Sequence, residues 1–161
     1  MSAPPAASPP GALRAGALRA CMVDGRSVEI TAAGLSMRPT LAPGDRLLIS
    51  PLPPRGPALG DVVAIVSGDA DAARIVVHRV LWCRGAVIRT AGDDASALDH
   101  PHPRRTVVGR VDACWGPDGV RRSLRSPGAR LVGMARGMRS VARIVRVGLR
   151  AWRRPAPSAE P

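Results

Sequence analysis

Short apolar runs rich in β-branched residues dominate the centre of the chain and predict a sheet. Turns of Gly, Pro and Asp separate these runs, which is the usual pattern of short strands. The predicted strands cover residues 28–31, 46–49, 61–66, 74–82, 86–90 and 106–113. The Cys83-Arg84-Gly85 stretch predicts a hairpin connection between two of them. The centre is therefore predicted to be a mainly β, mostly antiparallel domain of roughly 90 residues, a common domain size.

A different period begins at residue 129 and predicts a helix over 129–154. Its arginines follow a spacing of three and four residues, at Arg136, Arg139, Arg143, Arg146, Arg150 and Arg153. On a helix this spacing places them in one stripe. Apolar residues such as Val132, Met138 and Leu149 occupy the rest of the circumference. The pattern predicts a basic amphipathic helix.

The ends of the chain differ in composition from its centre. Residues 1–20 are rich in Pro and Ala and contain Gly-Ala-Leu-Arg-Ala twice, which predicts a disordered or weakly helical N-terminus. A folded domain is expected over 21–119, an Arg-rich segment with the amphipathic helix over 120–154, and a disordered tail over 155–161.

The hydropathy of the chain indicates where in the cell the protein is expected. No apolar run approaches the roughly 20 residues that a membrane-spanning helix needs. The first residues lack the basic start and apolar stretch of a secretory signal peptide. The expected location is cytoplasmic or peripheral to a membrane.

Charge is unevenly placed, and all of the positive charge is arginine. The chain has 24 Lys and Arg residues in total, and every one is Arg. Residues 1–119 carry thirteen Arg against eleven acids, whereas residues 120–161 carry eleven Arg and one acid. The C-terminal segment therefore supplies most of the positive field.

The three cysteines, Cys21, Cys83 and Cys114, lie far apart in the sequence. No C-x-x-C pair exists, so a structural zinc site is not expected. The odd number argues against a disulfide framework and favours free thiols in a reducing compartment.

Candidate chemistry centres on Ser36, which lies between Gly34 and a Met-x-Pro turn. A serine nucleophile needs a base that removes its proton. Arginine stays protonated and cannot serve, and the chain has no lysine. The base must be His78, His100, His102 or a carboxylate.

Two further stretches complete a possible catalytic set. His78 lies inside a predicted strand, and a Gly-Asp turn after the next strand supplies Asp93, Asp94 and Asp99. Serine, imidazole and carboxylate are the parts of an acyl-transfer triad. The open backbone at Gly34 would let a substrate carbonyl reach the N–H of Ser36, a candidate oxyanion donor.

Each of these residues also has a purely structural interpretation. Ser36 fits a turn, His78 fits a hydrogen-bonded core position, and an Asp after Gly commonly caps a turn. A metal site is a further alternative, formed by Asp93, Asp94, Asp99, His100 and His102. These residues lack a recognised ligand spacing, so neither a metal nor another cofactor is expected.

Five ordered boxes carry a resemblance to a known group of proteases. They are Gly34-x-Ser36-Met37-x-Pro39-Thr40-Leu41-x-x-Gly44-Asp45, Gly60-Asp61-Val62-Val63, Val77-His78-Arg79-Val80, Thr90-Ala91-Gly92-Asp93 with Asp99 six residues on, and Val107-Val108-Gly109-Arg110-Val111. The set resembles the signal peptidase I and LexA-like serine protease clan over roughly residues 27–113. The Val-His-Arg-Val box is similar to the archaeal and endoplasmic-reticulum type, whose base is histidine rather than lysine.

The resemblance implies a LexA/signal-peptidase-like antiparallel β fold and a serine endopeptidase. Ser36 would be the nucleophile, His78 the general base and Asp99 the triad acid. Asp93 would be a second functional acid, with the choice between the two acids open and Asp94 a third candidate. Gly34 and Met37 would belong to the oxyanion and substrate loop.

The implied substrate is a peptide or precursor protein that carries a leader or signal peptide. Cleavage would follow small residues, as in Ala-x-Ala. No cofactor is implied.

The chain departs from the family pattern at two points. Signal peptidases carry a membrane anchor near the serine, which is not visible here, and Ala91 replaces the usual lysine of the Gly-Asp box. The arginine-striped helix could replace the anchor by lying on an anionic membrane. It could equally dock on its own domain or on an acidic protein. Nucleic acid is not expected, because the segment lacks interleaved aromatic residues for stacking.

Two other functions stay open. One is a LexA-like regulator that cuts itself, although the first 30 residues are short and Pro-rich for a DNA-binding domain. The other is a non-catalytic Arg-rich binding module, in which the boxes only form turns of the fold.

Overall fold

The computed structural model describes residues 10–68, 73–95 and 97–152, and an antiparallel sheet forms its centre. The elements in chain order are α1 (Pro10–Val23), β1 (Val28–Thr31), β2 (Arg46–Ser50), β3 (Val62–Ser67), β4 (Arg74–Arg84), β5 (Val87–Ala91), β6 (His102–Pro103), a short 3-10 helix (Arg104–Thr106), β7 (Val107–Trp115), β8 (Arg121–Ser123) and α2 (Pro127–Trp152). The predicted mainly β antiparallel domain with a C-terminal helix is confirmed.

The sheet is built around β7. The described strands follow the order β1-β2-β7-β3-β4-β5-β6, with β8 also paired to β7. β7 therefore pairs with β2, β3 and β8, all antiparallel, and eight of its nine residues are buried. Register shifts interrupt the pairing of β7 with β2 between Leu48 and Ile49 and with β3 between Ala64 and Ile65. Such irregularities increase local twist, which lets a sheet curl.

β3 is covered on both faces, and its side chains divide between two apolar clusters. Val62 and Ala64 pack into the larger cluster, whereas Val63 and Ile65 pack into the smaller one. Successive strand residues point to opposite faces, so each face receives alternate side chains. This two-sided burial explains why β3 is apolar from Val62 to Val66 rather than alternating.

Of the two alternatives for residues 1–20, disordered or weakly helical, residues 10–20 are helical and form most of α1. Ala15, Leu18 and Met22 are buried, at a helical spacing of three and four, and Leu18 and Met22 join the larger cluster. Gly25 ends the helix with φ +72°, a conformation that favours glycine. Ala, Leu, Arg and Met, which form most of the segment, favour helix, so local preference and tertiary packing act together here. The predicted disorder of residues 1–9 and 155–161 lies outside the described residues.

The described fold continues past residues 21 and 119, the predicted boundaries of the domain. α1 belongs to the domain at one end, and β8 extends the sheet beyond residue 119 at the other. β8 consists of Arg121, Arg122 and Ser123, all exposed, so it shows no apolar alternation. Arg122 Nη2 nevertheless donates to Asp45 Oδ2 at 2.9 Å, and the guanidinium of Arg121 lies 5.8 Å from the Trp115 ring centre.

α2 begins two residues before the predicted start. Ser126 Oγ accepts a hydrogen bond from the backbone N–H of Ala129 at 3.2 Å, which caps the helix, and Pro127 occupies the first turn. The helix is described as far as Trp152, so the predicted last two residues lie outside the described range. Neither described helix combines the length and hydropathy that crossing a bilayer requires.

Replacing Leu18 by Ala tests the assignment of α1 to the core. Leu18 is 3% exposed, so the change should leave a cavity and lower the free energy of unfolding by about 2–5 kcal/mol. Urea denaturation followed by circular dichroism measures this. Arg19→Ala on the exposed side of the same helix is the control and should stay within about 0.5 kcal/mol. Equal stabilities of the two variants would mean that α1 does not pack on the sheet.

Candidate active site

Ser36 lies on a tight loop between β1 and β2 that buried side chains hold in place. The backbone N–H of Arg38 donates to Leu35 O and that of Leu41 to Met37 O, both at 3.0 Å. Met37 and Leu41 are 3% and 2% exposed and pack in the larger cluster. The half-buried Ser36 is thus presented from a backbone that apolar anchors fix on its C-terminal side.

A continuous line of hydrogen bonds joins Ser36, His78 and Asp99. His78 Nε2 lies 3.0 Å from Ser36 Oγ, and His78 Nδ1 lies 2.6 Å from Asp99 Oδ2. When Nδ1 donates its proton to the carboxylate, Nε2 carries a lone pair and accepts the hydroxyl proton of Ser36. A nucleophile, a base and an orienting acid are thereby in contact in the required order.

Asp99 is held from two further directions. Its backbone N–H donates to Thr90 O at 3.0 Å, and the hydroxyl of the fully buried Thr90 donates to Asp99 Oδ2 at 2.5 Å. Burial raises the pKa of Asp99, but hydrogen bonds from His78 and Thr90 and the charge of His78 and His102 outweigh that effect. The pKa of Asp99 therefore lies below its ordinary value of 3.8, and the carboxylate stays ionised beside His78 at neutral pH.

The choice between Asp93 and Asp99, which the sequence leaves open, is decided by what each carboxylate contacts. Asp93 accepts from Arg79 Nε at 2.7 Å and from Arg79 Nη2 at 2.6 Å, and it also accepts from the hydroxyl of Thr40. The acid that faces His78 is Asp99. Asp94 takes part through its backbone, whose N–H donates to Ser36 O at 2.8 Å.

Arg79 ties several segments together from the interior. Its side chain is 2% exposed and forms a two-pronged ion pair with the buried Asp93. Nη1 donates to Gly60 O at 2.9 Å, and Nη2 lies 3.3 Å from Thr40 Oγ1. One guanidinium thus connects β4, the turn after β5, the turn before β3 and the end of the Ser36 loop.

Gly92 allows the turn after β5 to contact the Ser36 loop closely. A Cβ at position 92 would lie 2.8 Å from Ser36 Cβ and would overlap Ser36 O. Real Cβ atoms do not approach so closely, so glycine is required there. The Gly-Asp turn therefore positions the Ser36 backbone as well as supplying acids.

Gly34 and Met37, the predicted oxyanion and substrate loop residues, have different surroundings. A Cβ at Gly34 would meet no heavy atom within 4 Å, so the chain beside Ser36 is open on that side. Met37 is buried and contributes to the floor of the cleft. Gly34 thus leaves room for a substrate, while Met37 anchors the loop.

Ser36 opens into an apolar cleft of about 860 Å³. One wall is formed by β1 and the chain that leads to Gly34, and the other by the first half of β4, Arg74 to Val77. Leu18 and Cys21 of α1 also line it. The lining residues that shortly precede Ser36 in the chain are small: Ala32, Ala33 and Gly34.

The first part of α2 docks on the domain beside this network. Arg136 Nη1 donates to Thr40 Oγ1 at 3.2 Å, and Arg130 pairs with the buried Asp61. Gly133 lies against the guanidinium of Arg79, where any Cβ would overlap it. The sequence leaves a membrane, an acidic protein and the chain's own domain open as partners of this helix. Over residues 130–137 the helix docks on its own domain.

The alternative metal cluster is not assembled. Within the described residues, no three His, Cys, Asp or Glu side chains come together as a potential metal site. His102 belongs to β6 opposite Ile88, and His100 is exposed in the loop before it.

Sequence reasoning missed the supporting roles of Thr40, Arg79, Thr90 and Arg136. The first three lie within the boxes that carry the resemblance, and Arg79 stands out as a charge in a strand that is otherwise mostly apolar. A charge in that position signals a buried partner. Arg136 gave no such signal, because it is one of several arginines with the same helical spacing.

Replacing Thr90 by Val should raise the pKa of Asp99, because it removes a hydrogen bond that stabilises the ionised carboxylate. A carbon-13 NMR titration of the Asp99 carboxyl measures the change. The depressed pKa contributes stability that is fully present above pH 3.8 and is lost as the pH falls through the folded-state value. The stability difference between wild type and variant should accordingly be largest at neutral pH and shrink in acid.

Thr106→Val is the matched control for Thr90→Val. It removes a hydroxyl that donates to Pro103 O, away from Asp99, and should leave the Asp99 titration unchanged. The assigned role of Thr90 fails if both variants titrate like the wild type.

Two glycine substitutions on α2 should have opposite effects. Gly133→Ala forces a Cβ into the buried Arg79 guanidinium and should lower the free energy of unfolding by about 1–3 kcal/mol. Gly128→Ala meets no atom within 4 Å and should be neutral or stabilising by up to about 1 kcal/mol, since Ala favours helix. Urea unfolding of the two variants measures both. The same sign of change in both would contradict the docking of α2 on Arg79.

Because comparison with known proteins finds no match, a function is inferred from the geometry of the site. No protein-family model, curated protein or solved structure matches the chain.

Proposed function

We propose that the chain is a serine endopeptidase that acts through Ser36, His78 and Asp99. The observation that carries the proposal is the hydrogen-bonded line of 3.0 Å from Ser36 Oγ to His78 Nε2 and 2.6 Å from His78 Nδ1 to Asp99 Oδ2. The sequence boxes support it independently, because each of the three residues belongs to a box that resembles the signal-peptidase clan. The histidine-containing type is the nearest resemblance.

The proposed reaction begins with attack of Ser36 Oγ on the substrate carbonyl carbon. His78 Nε2 takes the hydroxyl proton, and Asp99 holds the ring and stabilises the imidazolium. The tetrahedral intermediate collapses when His78 returns the proton to the leaving amine, which leaves an acyl ester on Ser36. Water, deprotonated by His78, then hydrolyses the ester and restores the free hydroxyl.

The backbone N–H of Ser36 is the proposed donor to the oxyanion. The open side at Gly34 leaves space for the carbonyl to approach it. The hydrogen bond from Arg38 N–H to Leu35 O holds the peptide that carries the Ser36 N–H, and the bond from Asp94 N–H to Ser36 O, with the close contact of Gly92, holds the next peptide. A fixed donor needs no reorganisation when charge develops.

The substrate is proposed to bind as an extended strand in the cleft. In the described sheet, β5 pairs with β4 only from Arg79 onwards, so Arg74 to His78 are paired on the β3 side alone. β1 is the terminal strand of the sheet and lines the opposite wall. Strand edges of this kind bind extended peptides through main-chain hydrogen bonds, while alternate side chains enter pockets.

The lining of the cleft near Ser36 is mostly apolar and would accept apolar side chains near the cleaved bond. Ala32, Ala33 and Gly34 lead into Ser36, and Met37 and Leu41 close the floor. This fits the specificity that the resemblance implies, with cleavage of a leader or signal peptide after Ala-x-Ala. Such a pocket discriminates between substrates through apolar contact, and one methylene more or less changes the free energy of transition-state binding by about 1–3 kcal/mol.

Ser36→Ala and His78→Ala should each reduce cleavage of an Ala-x-Ala peptide by at least about 1,000-fold, because each removes a member of the triad. Asp99→Asn should reduce it by up to about 10,000-fold, because the amide favours the wrong histidine tautomer. Mass spectrometry of the products measures the rates. Ser123→Ala, in exposed β8, should cleave like the wild type.

A fluorophosphonate probe separates the peptidase from a non-catalytic Arg-rich module. The wild-type protein should be labelled on Ser36, and His78→Ala should abolish the labelling while the protein remains folded by circular dichroism. Folded wild type that takes no label and cleaves no peptide rules the proposal out.

A further inference from the structure

We propose that the outward face of α2 binds the surface of an anionic lipid bilayer. We define this face by Leu131, Val132, Met138 and Arg139. Leu131 and Met138 are 70% and 68% exposed, and Val132 is 49% exposed. Exposed large apolar residues on one part of a helix that also carries arginine are typical of helices that lie in a membrane interface.

Contacts on the opposite side of α2 fix which residues face outward. Gly133 packs on Arg79, and a Cβ at Gly137 would lie 2.6 Å from Leu81 Cδ2. Arg130 and Arg136 are also held by the domain, through Asp61 and Thr40. The domain therefore holds both of these arginines. Arg139, which belongs to the predicted stripe, is exposed on the outward face.

An apolar groove beside the outward face enlarges the surface available to hydrocarbon. It has a volume of about 440 Å³ and is lined by Leu59, Val80, Leu81, Met134, Met138, Val141 and Ala142. Leu59 and Met138 are exposed at its rim, at 47% and 68%. The groove and the outward face share Met138, so they form one apolar surface.

The charge of the segment selects an anionic partner. The sequence has no acidic residue between Asp118 and Glu160, and Arg143, Arg146 and Arg150 continue the spacing of Arg139 along α2. Each basic residue near an anionic bilayer strengthens binding by about fivefold. A bilayer offers anionic head groups and hydrocarbon at the same surface, which matches both properties of this face.

Membrane binding would bring the candidate site to the bilayer. Arg136 contacts Thr40, and Thr40 lies four residues after Ser36, so the helix and the Ser36 loop are directly joined. The proposal does not depend on the peptidase function: the inactive variant Ser36→Ala should bind vesicles as the wild type does. Failure of one proposal is thus distinguishable from failure of the other.

The test is co-sedimentation of the full chain with vesicles. We expect at least about tenfold tighter binding to vesicles of phosphatidylcholine mixed with phosphatidylglycerol than to phosphatidylcholine alone, and a loss of this preference in high salt. The double variant Leu131→Glu, Met138→Glu should bind the mixed vesicles at least about tenfold more weakly. Arg139→Ala should bind them about fivefold more weakly.

Val120→Glu is the matched control, because Val120 is 56% exposed but lies outside α2. It should bind like the wild type, and circular dichroism should show all variants folded. Equal binding to both kinds of vesicle, undiminished binding of the double variant, or no sedimentation at all would each overturn the proposal. In the last case an acidic protein would be the better partner for this face.

Discussion

The buried ion pair between Arg79 and Asp93 is the interaction on which the arrangement of the site depends. Both side chains are almost inaccessible to water, at 2% and 0% exposure. Removing two charges from water is costly unless each is closely paired and its remaining hydrogen-bonding atoms are satisfied. The pair meets that condition by recruiting Thr40 and Gly60 O, and those partners are what brings four segments to one point. The energetic need to satisfy the guanidinium therefore also fixes the position of the Ser36 loop.

The geometry of one strand links this pair to the chemistry. His78 and Arg79 are consecutive on β4, so their side chains leave the strand in opposite directions. His78 faces Ser36 and Asp99, whereas Arg79 faces the interior and α2. The acids are divided in the same way, with Asp99 on the histidine side and Asp93 on the arginine side. Two similar carboxylates thus have different partners because His78 and Arg79 point to opposite faces of β4.

The sequence predicted the strands and the site residues better than the tertiary contacts that position them. The strands, the α2 helix, Ser36, His78 and the pair of candidate acids follow from apolar patterning and from ordered boxes, both of which are local properties. The choice between Asp93 and Asp99 is not local, because it depends on how a loop of residues 92–99 folds back on β4. The packing of α1 was not predicted for a related reason: Leu18 and Met22 join a core whose other buried members lie more than ten residues away in the chain. β8 was missed because its arginines pair with Asp45 and stack near Trp115 rather than alternate with apolar residues.

A histidine rather than a lysine as the proposed base is consistent with the partial exposure of the site. A lysine base must be deeply buried before it loses its proton near neutral pH, whereas imidazole titrates close to neutrality in water. A histidine base can therefore work beside solvent, provided that a carboxylate fixes its tautomer. The side chains of His78 and Asp99 are 13% and 22% exposed, so both are partly accessible to solvent. Arg79 and Asp93, which hold the loop, are the deeply buried pair. His78 and Asp99 are only partly buried, and hydrogen bonds from His78 and Thr90 orient the Asp99 carboxylate and lower its pKa.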